Sequence, residues 1–327
     1  MSHLSTAEKT EPKQQSSENA IEAHELTKRY GSNLALKGVS FKVPRGSVFG
    51  VIGPNGAGKT TTMRTLLDII RPSSGHAIVL GEDPRHAGPE LRRRIGFLPG
   101  ELILDGRTTG RKLLQHYADI SGPVRQGQIE ELAERLSLDL SRAVRKLSKG
   151  NKQKLGIVQA FMHQPDLLVL DEPTSGLDPL MQQVFLDLVR EAREAGQSVF
   201  LSSHVISEIQ QAADEVAILR DGKIVTIASV EQLRASAIRH LRLVATGISM
   251  AELQQRLGRL DGVDNLAVAS ISSADQDSVE ASATLEGEIP PLLQALSTLT
   301  LTDLVLEEPD LEESVLKLYT SDSKEVA

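Results

Sequence analysis

The chain has 327 residues, of which 40% are hydrophobic and 24% charged, a composition that suits about two globular domains with buried cores. No apolar run approaches the ~18 residues needed to cross a bilayer, and residues 1–20 lack the apolar stretch of a secretion signal, so neither secretion nor self-insertion is expected. With no cysteine, disulfides, thiolate metal sites and a cysteine nucleophile are excluded.

Residues 1–20 are polar and read as a disordered tail. From Ile21 short apolar runs alternate with longer helical patterns. Ser47-Val48-Phe49-Gly50-Val51-Ile52 reads as a buried strand running directly into glycines, with Leu66, Leu67, Ile69 and Ile70 at helical spacing beyond. Residues 107–160 carry no strand signal and read as a mostly helical insert. Residues 167–170 and 199–201 are two further buried strands. Residues 216–219 and 223–225 flank Asp221-Gly222, a hairpin signal. Strands alternating with helices imply a largely parallel sheet covered on both faces.

The net charge of −8 is unevenly spread, since residues 236–327 hold 6 basic and 16 acidic groups. All six phenylalanines (41, 49, 97, 161, 185 and 200) lie before that segment. The shift near residue 235 reads as a domain boundary, and the acidic part argues against non-specific nucleic-acid binding through it. Its pattern is strand 241–245, helix 250–257, strand 265–270, strand 278–285, helix 291–299 and strand 301–307. That βαββαβ order suggests a small ferredoxin-like α+β domain. Leu311, Val315 and Leu318 form the apolar stripe of a last helix. The expected domains are thus the tail 1–20, an α/β domain over 21–235 with a helical subdomain at about 105–160, and an acidic accessory domain over 236–327.

The segment Gly53-Pro54-Asn55-Gly56-Ala57-Gly58-Lys59-Thr60-Thr61 matches G-x-x-x-x-G-K-[ST], directly after a strand and opening a helix. Its glycines let successive N–H groups face one concavity, and the helix N-terminus adds partial positive charge there. Lys59 can reach the β- and γ-phosphates of a nucleotide, and Thr60 can ligate Mg²⁺. Further on, Leu167-Leu168-Val169-Leu170 ends in Asp171-Glu172. A central strand of this type delivers Asp171 to the edge where the phosphate loop lies. Asp171 can hold Mg²⁺ through water, while Glu172 can orient or deprotonate an attacking water.

Between these motifs, Leu147-Ser148-Lys149-Gly150-Asn151-Lys152-Gln153-Lys154-Leu155-Gly156 resembles the LSGGQ signature of ABC ATPases. Tyr30 resembles the aromatic residue that stacks on adenine in that family. Ser175-Gly176-Leu177-Asp178 resembles its D-loop, and His204 its switch histidine. The resemblance covers residues 21–230 and implies a P-loop ABC-type nucleotide-binding domain that hydrolyses ATP with Mg²⁺. It also implies a head-to-tail dimer of two copies, in which Ser148 and Gly150 of one copy face the γ-phosphate held by the other. Glu172 and His204 would be catalytic. Tyr30, the loop 53–61, Ser148, Gly150 and Asp178 would contact nucleotide, and Thr60 and Asp171 the metal.

Two motifs depart from the family. Lys149 and Asn151 replace a Gly and the Gln of the signature, and Gly100 stands where the family's Q-loop has Gln, with Glu101 beside it. The basic residues Arg142, Arg145, Lys146, Lys149, Lys152 and Lys154 read as a solvated helical face. One nucleotide-binding domain without a membrane span fits the ATPase subunit of a transporter, docking through the helical insert and residues 97–104 onto a separate membrane-spanning permease at the cytoplasmic face. A soluble ABC protein of translation or DNA repair, with tandem domains or a long insertion, fits less well, as does a regulatory module without turnover. Residues 306–319 resemble the E-P-x-L-E-x-x-F ending of ABC-2-type drug exporter ATPases of the daunorubicin-resistance kind, with Leu316 or Val315 in place of Phe. The resemblance thus implies export of a hydrophobic drug, antibiotic or lipid, with a polysaccharide or lipid-linked glycan as the alternative cargo.

Overall fold

The computed structural model describes residues 18–104, 106–235, 239–273 and 276–307. The stripe at Leu311, Val315 and Leu318 and most of the segment 306–319 lie outside them. Contacts divide the chain into two compact units, one of residues up to Ser47 with Thr60–Phe200, the other of Val48–Lys59 with Leu201 onward.

The first unit opens with β1 (Asn19–Tyr30), β2 (Asn33–Pro44) and β4 (Ser74–Val79), an antiparallel sheet in the order β2-β1-β4. The tail expected over 1–20 therefore ends earlier, since Asn19 and Ala20 belong to β1, and Ala20 and Ile21 are fully buried. This antiparallel sheet is not among the expected elements; the expected parallel strands are present besides it, Val48–Ile52 beside Glu215–Arg220 and Ile95–Leu98 beside Leu167–Asp171. Register shifts at residues 23–26 and 28–29 interrupt the alternation of β1, which erases the period-2 signal on which strand reading depends.

The same unit holds β5 (Ile95–Leu98) and β6 (Leu167–Asp171), which are parallel, and the first half of β7 (Ser198–Ser203), in the order β5-β6-β7. All five residues of β6 are buried, as a parallel strand covered on both faces requires. The insert is helical as read, with α3 (Gly110–Ser121), α4 (Gln128–Arg135) and α5 (Lys149–Phe161). Gly156 lies inside α5, and a Cβ there would come within 2.6 Å of Leu98 and 2.7 Å of Leu102. Glycine is thus what lets the 98–102 segment close on the helix. After β6, α6 (Pro179–Glu194) buries Phe185 edge-on against Phe161.

In the second unit, β3 (Val48–Ile52) runs parallel to β8 (Glu215–Arg220), and β9 (Lys223–Ser229) returns antiparallel. Asp221 and Gly222, at φ +48° and +78°, make the tight turn between them. Helix α1 (Lys59–Leu66) follows the loop after β3 and ends at Leu66. It does not continue through Ile70, because Asp68 at φ +51° breaks it and Ile69 is exposed.

Beyond residue 238 lie β10 (Arg239–Thr246), α9 (Met250–Leu257), β11 (Val263–Ser273), β12 (Gln276–Leu285), α10 (Ile289–Leu296) and β13 (Thr300–Leu306). The sheet is antiparallel in the order β11-β12-β10-β13. Leu241, Leu243 and Ala245 alternate inward with Val279, Ala281, Ala283 and Leu285, and Leu253, Leu257, Leu292 and Leu296 from the two helices close that core. α10 begins two residues earlier than the expected 291, with Pro290 in its first turn, where a missing N–H costs nothing.

Candidate functional site

In the second unit, β3 runs into the loop 53–58. Gly53 has no room for a side chain, since a Cβ would lie 2.3 Å from the Leu219 carbonyl oxygen. Gly58 takes φ +113°, which an L side chain rarely adopts. The Gly222 N–H donates to the Ala57 carbonyl at 3.0 Å and pins the loop to the β8–β9 turn. Lys59 is 6% exposed, and its ammonium donates to the Gly53 carbonyl at 2.6 Å. The lysine thus folds back over its own loop. In the same unit, Ser203 at the end of β7 donates to Glu208 at 2.7 Å and accepts from the Val205 N–H. That pair fixes the turn carrying His204, whose side chain is exposed.

In the first unit, Asp171 ends β6 with 1% exposure. Gly100 lies against it, and a Cβ on Gly100 would be 3.0 Å from Asp171 Oδ2. The position of the missing Q-loop glutamine is therefore occupied by bare main chain packed on this carboxylate. Glu172 follows at φ +48°, a left-handed conformation uncommon for a residue with a side chain.

Ser148 caps α5, its hydroxyl accepting from the Asn151 N–H at 3.2 Å. The helix starts at Lys149, so Gly150 sits in its first turn, with its N–H among those that no helical carbonyl takes. Asp178 caps α6 through the Met181 N–H at 3.1 Å, giving its carboxylate a structural partner. Tyr30 is 47% exposed, with the Lys28 ammonium 5.0 Å from its ring centroid and held by the Arg71 carbonyl at 2.7 Å. One ring face is covered by that cation.

The basic cluster is not uniformly solvated. Lys154 is 9% exposed, and Lys149 donates to the Ser175 hydroxyl at 3.2 Å. The residue that motif reading passed over is Gln153, which binds the main chain on either side of the Glu172–Pro173 bond. Its only sequence signal is a polar residue among the apolar positions of α5.

A strand, a glycine loop and a helix opening with Lys59, together with a buried strand ending in Asp171-Glu172, define a P-loop nucleotide-binding ATPase. The chain matches the family described as ABC transporter over residues 36–175. It is 38% identical over 217 residues to the bacitracin transport ATP-binding protein BcrA of Bacillus licheniformis, covering 65% of this chain and 71% of that one. It is 36% identical over 223 residues to the daunorubicin resistance ATP-binding protein DrrA3 of Streptomyces coeruleorubidus, covering 67% and 71%. The solved structure of an ATP-binding subunit of an ABC transporter superposes with a TM-score of 0.61 at 29% identity, covering 66% of this chain and 92% of that one. The chain belongs to the family of ABC transporter ATP-binding proteins, and its activity is the binding and hydrolysis of ATP. No helix of the described residues is long and apolar enough to cross a membrane.

Proposed function

We propose that this protein is the ATPase subunit of an ABC-2-type exporter of a hydrophobic drug, antibiotic or lipid, working as a head-to-tail dimer beneath a separate permease at the cytoplasmic face of the membrane. What carries the reading is the ordered set of phosphate loop, signature and Asp-Glu strand end, in a chain whose relatives include bacitracin and daunorubicin-resistance ATP-binding proteins.

The groups present suit ATP with Mg²⁺. The loop 53–58 offers main-chain N–H groups and Lys59 a buried ammonium for phosphate oxygens. Thr60 and the buried carboxylate of Asp171 supply hard oxygen ligands. When bound, the ion offsets phosphate charge as the terminal bond breaks. Tyr30 offers its open face to adenine. Glu172 takes the proton of the attacking water and His204 donates to the γ-phosphate oxygens. Ser148 and Gly150 close the site from the partner copy, so ATP holds the dimer together and hydrolysis releases it.

Docking of a permease is supported by a groove of about 440 Å³ lined by Phe97, Pro99, Leu102, Tyr117 and Ile120, beside the 81%-exposed Ile103. Leu102 packs at Gly156 of α5, so a load on this surface reaches the helix that begins at Ser148.

The test is a forced heterodimer of one Lys59→Ala copy and one Ser148→Arg copy. Composite sites give one site with both lesions and one with neither, so the heterodimer should hydrolyse ATP well above either mutant homodimer. A heterodimer that binds ATP but turns over no faster than the homodimers would overturn the shared-site reading.

A further inference from the structure

Gln153 lies in the second turn of α5 and is 4% exposed. Its amide nitrogen donates to the main-chain carbonyls of Glu172 at 3.2 Å and Pro173 at 2.9 Å. Those carbonyls belong to the bend that leaves β6, where Glu172 holds φ +48°. A residue with a side chain keeps that conformation only when its surroundings fix it.

We propose that Gln153 is a positioning residue for the hydrolytic carboxylate: by fixing two successive carbonyls it sets the direction in which the Glu172 side chain leaves the main chain. An amide suits the task, since one nitrogen brings two N–H donors without charge. A carboxylate there would offer acceptors to acceptors, and an ammonium would bury a charge. Two neighbouring contacts tie the same helix end to the same bend. A Cβ on Gly150 would lie 2.6 Å from the Gly176 carbonyl oxygen, so the two main chains abut there, and Lys149 donates to Ser175. The helix that starts at Ser148 thus carries both the groups that read the partner copy's nucleotide and the amide that aims this copy's base. Closure of one site is thereby coupled to the geometry of the other. The inference rests on Glu172 being the base.

The test compares Gln153→Met, Glu172→Gln and the double variant in the full chain, measuring turnover, ATP affinity and the thermal midpoint of each. Gln153→Met should lower kcat about 10–100-fold, the scale expected when a reacting group is displaced by about 1 Å, with ATP affinity changed by less than about twofold. In the Glu172→Gln background the same substitution should cost no further rate, because its path to the chemistry is gone, while the fall in thermal midpoint should recur in full. A purely structural glutamine would lower the midpoint and leave kcat alone. Wild-type kcat in Gln153→Met overturns the proposal, and so does a loss that repeats in full in the double variant. Wild-type turnover in Glu172→Gln would instead sink the assignment of the base. Should Gln153→Met not fold, Gln153→Asn keeps a donor one methylene short of both carbonyls. It should show the same split between kcat and affinity at smaller size, and parity with wild type would overturn the proposal.

Discussion

The ATPase portion before residue 209 and the domain over 239–307 bury different things. In the first, Lys59, Gln153, Asp171, Thr174, Ser203 and Glu208 are all at least nine-tenths buried. Among the described residues of the second, every buried side chain is leucine, valine or alanine. Burying a polar group costs free energy unless partners meet it, and a fold alone can be built without them, as β10–β13 and their two helices demonstrate. Part of the polar burial in the ATPase portion lies at the proposed nucleotide site, with Lys59 and Asp171, and part elsewhere, as with Gln128 and Thr65. The contrast separates residues kept for chemistry from residues kept for packing.

The largest effect that could break this contrast is at Glu172. Glu172→Gln keeps the shape of the site and removes the base, so turnover should fall roughly 10²–10⁴-fold, the usual worth of a positioned acid or base. ATP binding should persist, and dimer trapped by unhydrolysed ATP should accumulate on size exclusion. Next comes the apolar side. Leu243, fully buried in the β10 face of the core, should cost about 2–5 kcal/mol on replacement by Ala. Hydrogen exchange should report that loss over 239–307, with ATP affinity unchanged. If Leu243→Ala abolished nucleotide binding, the two regions would not be separable in the way their burial implies. Lys59→Ala falls between packing and chemistry. Removing a charged donor from phosphate is worth about 1.5–3 kcal/mol, or roughly 10–150-fold in nucleotide affinity, while the midpoint of unfolding without nucleotide should shift little.

The same contrast shows what the sequence could carry. The loop 53–61 and Asp171-Glu172 are legible because they are local: consecutive residues that need consecutive positions. The elements over 239–307 were legible because each strand alternates and each helix repeats its leucines, and α9 falls on the expected residues 250–257. β1 and β2 were not, since their register shifts interrupt the alternation. Nor was Gln153. Its partners lie 19 and 20 residues along the chain, and a polar residue in a helix looks the same whether it faces water or two carbonyls. The end of α1 was missed because Leu67, Ile69 and Ile70 preserve an apolar spacing that the left-handed Asp68 turns out of the helix. Gly100 was legible as a departure, but only its packing on Asp171 shows that main chain fills the place of the missing side chain.

The smallest expected effect concerns a titratable group within the ATPase portion that belongs on the packing side of the comparison. His163 follows α5, and burial pushes its imidazole below the ordinary value. The folded state therefore favours the neutral ring, while the unfolded chain takes up a proton near pH 6.5. Above that pH neither state is protonated and the stability due to this group is fully present. As the pH falls below it, the unfolded chain gains the proton first and stability is lost progressively down to the depressed folded value. Replacing His163 by Gln removes the proton but keeps a polar side chain of similar length. The thermal midpoint of the wild type should then fall more steeply than that of His163→Gln between pH 6.5 and 5, with the two curves parallel above pH 7. Because His163 takes no part in the proposed chemistry, kcat at neutral pH should be the same in both. Identical midpoint slopes below pH 6.5 would mean that the ring is hydrated enough to protonate in place. A kcat that changed with His163 would move it to the other side of the comparison, among the buried polar groups kept for the nucleotide.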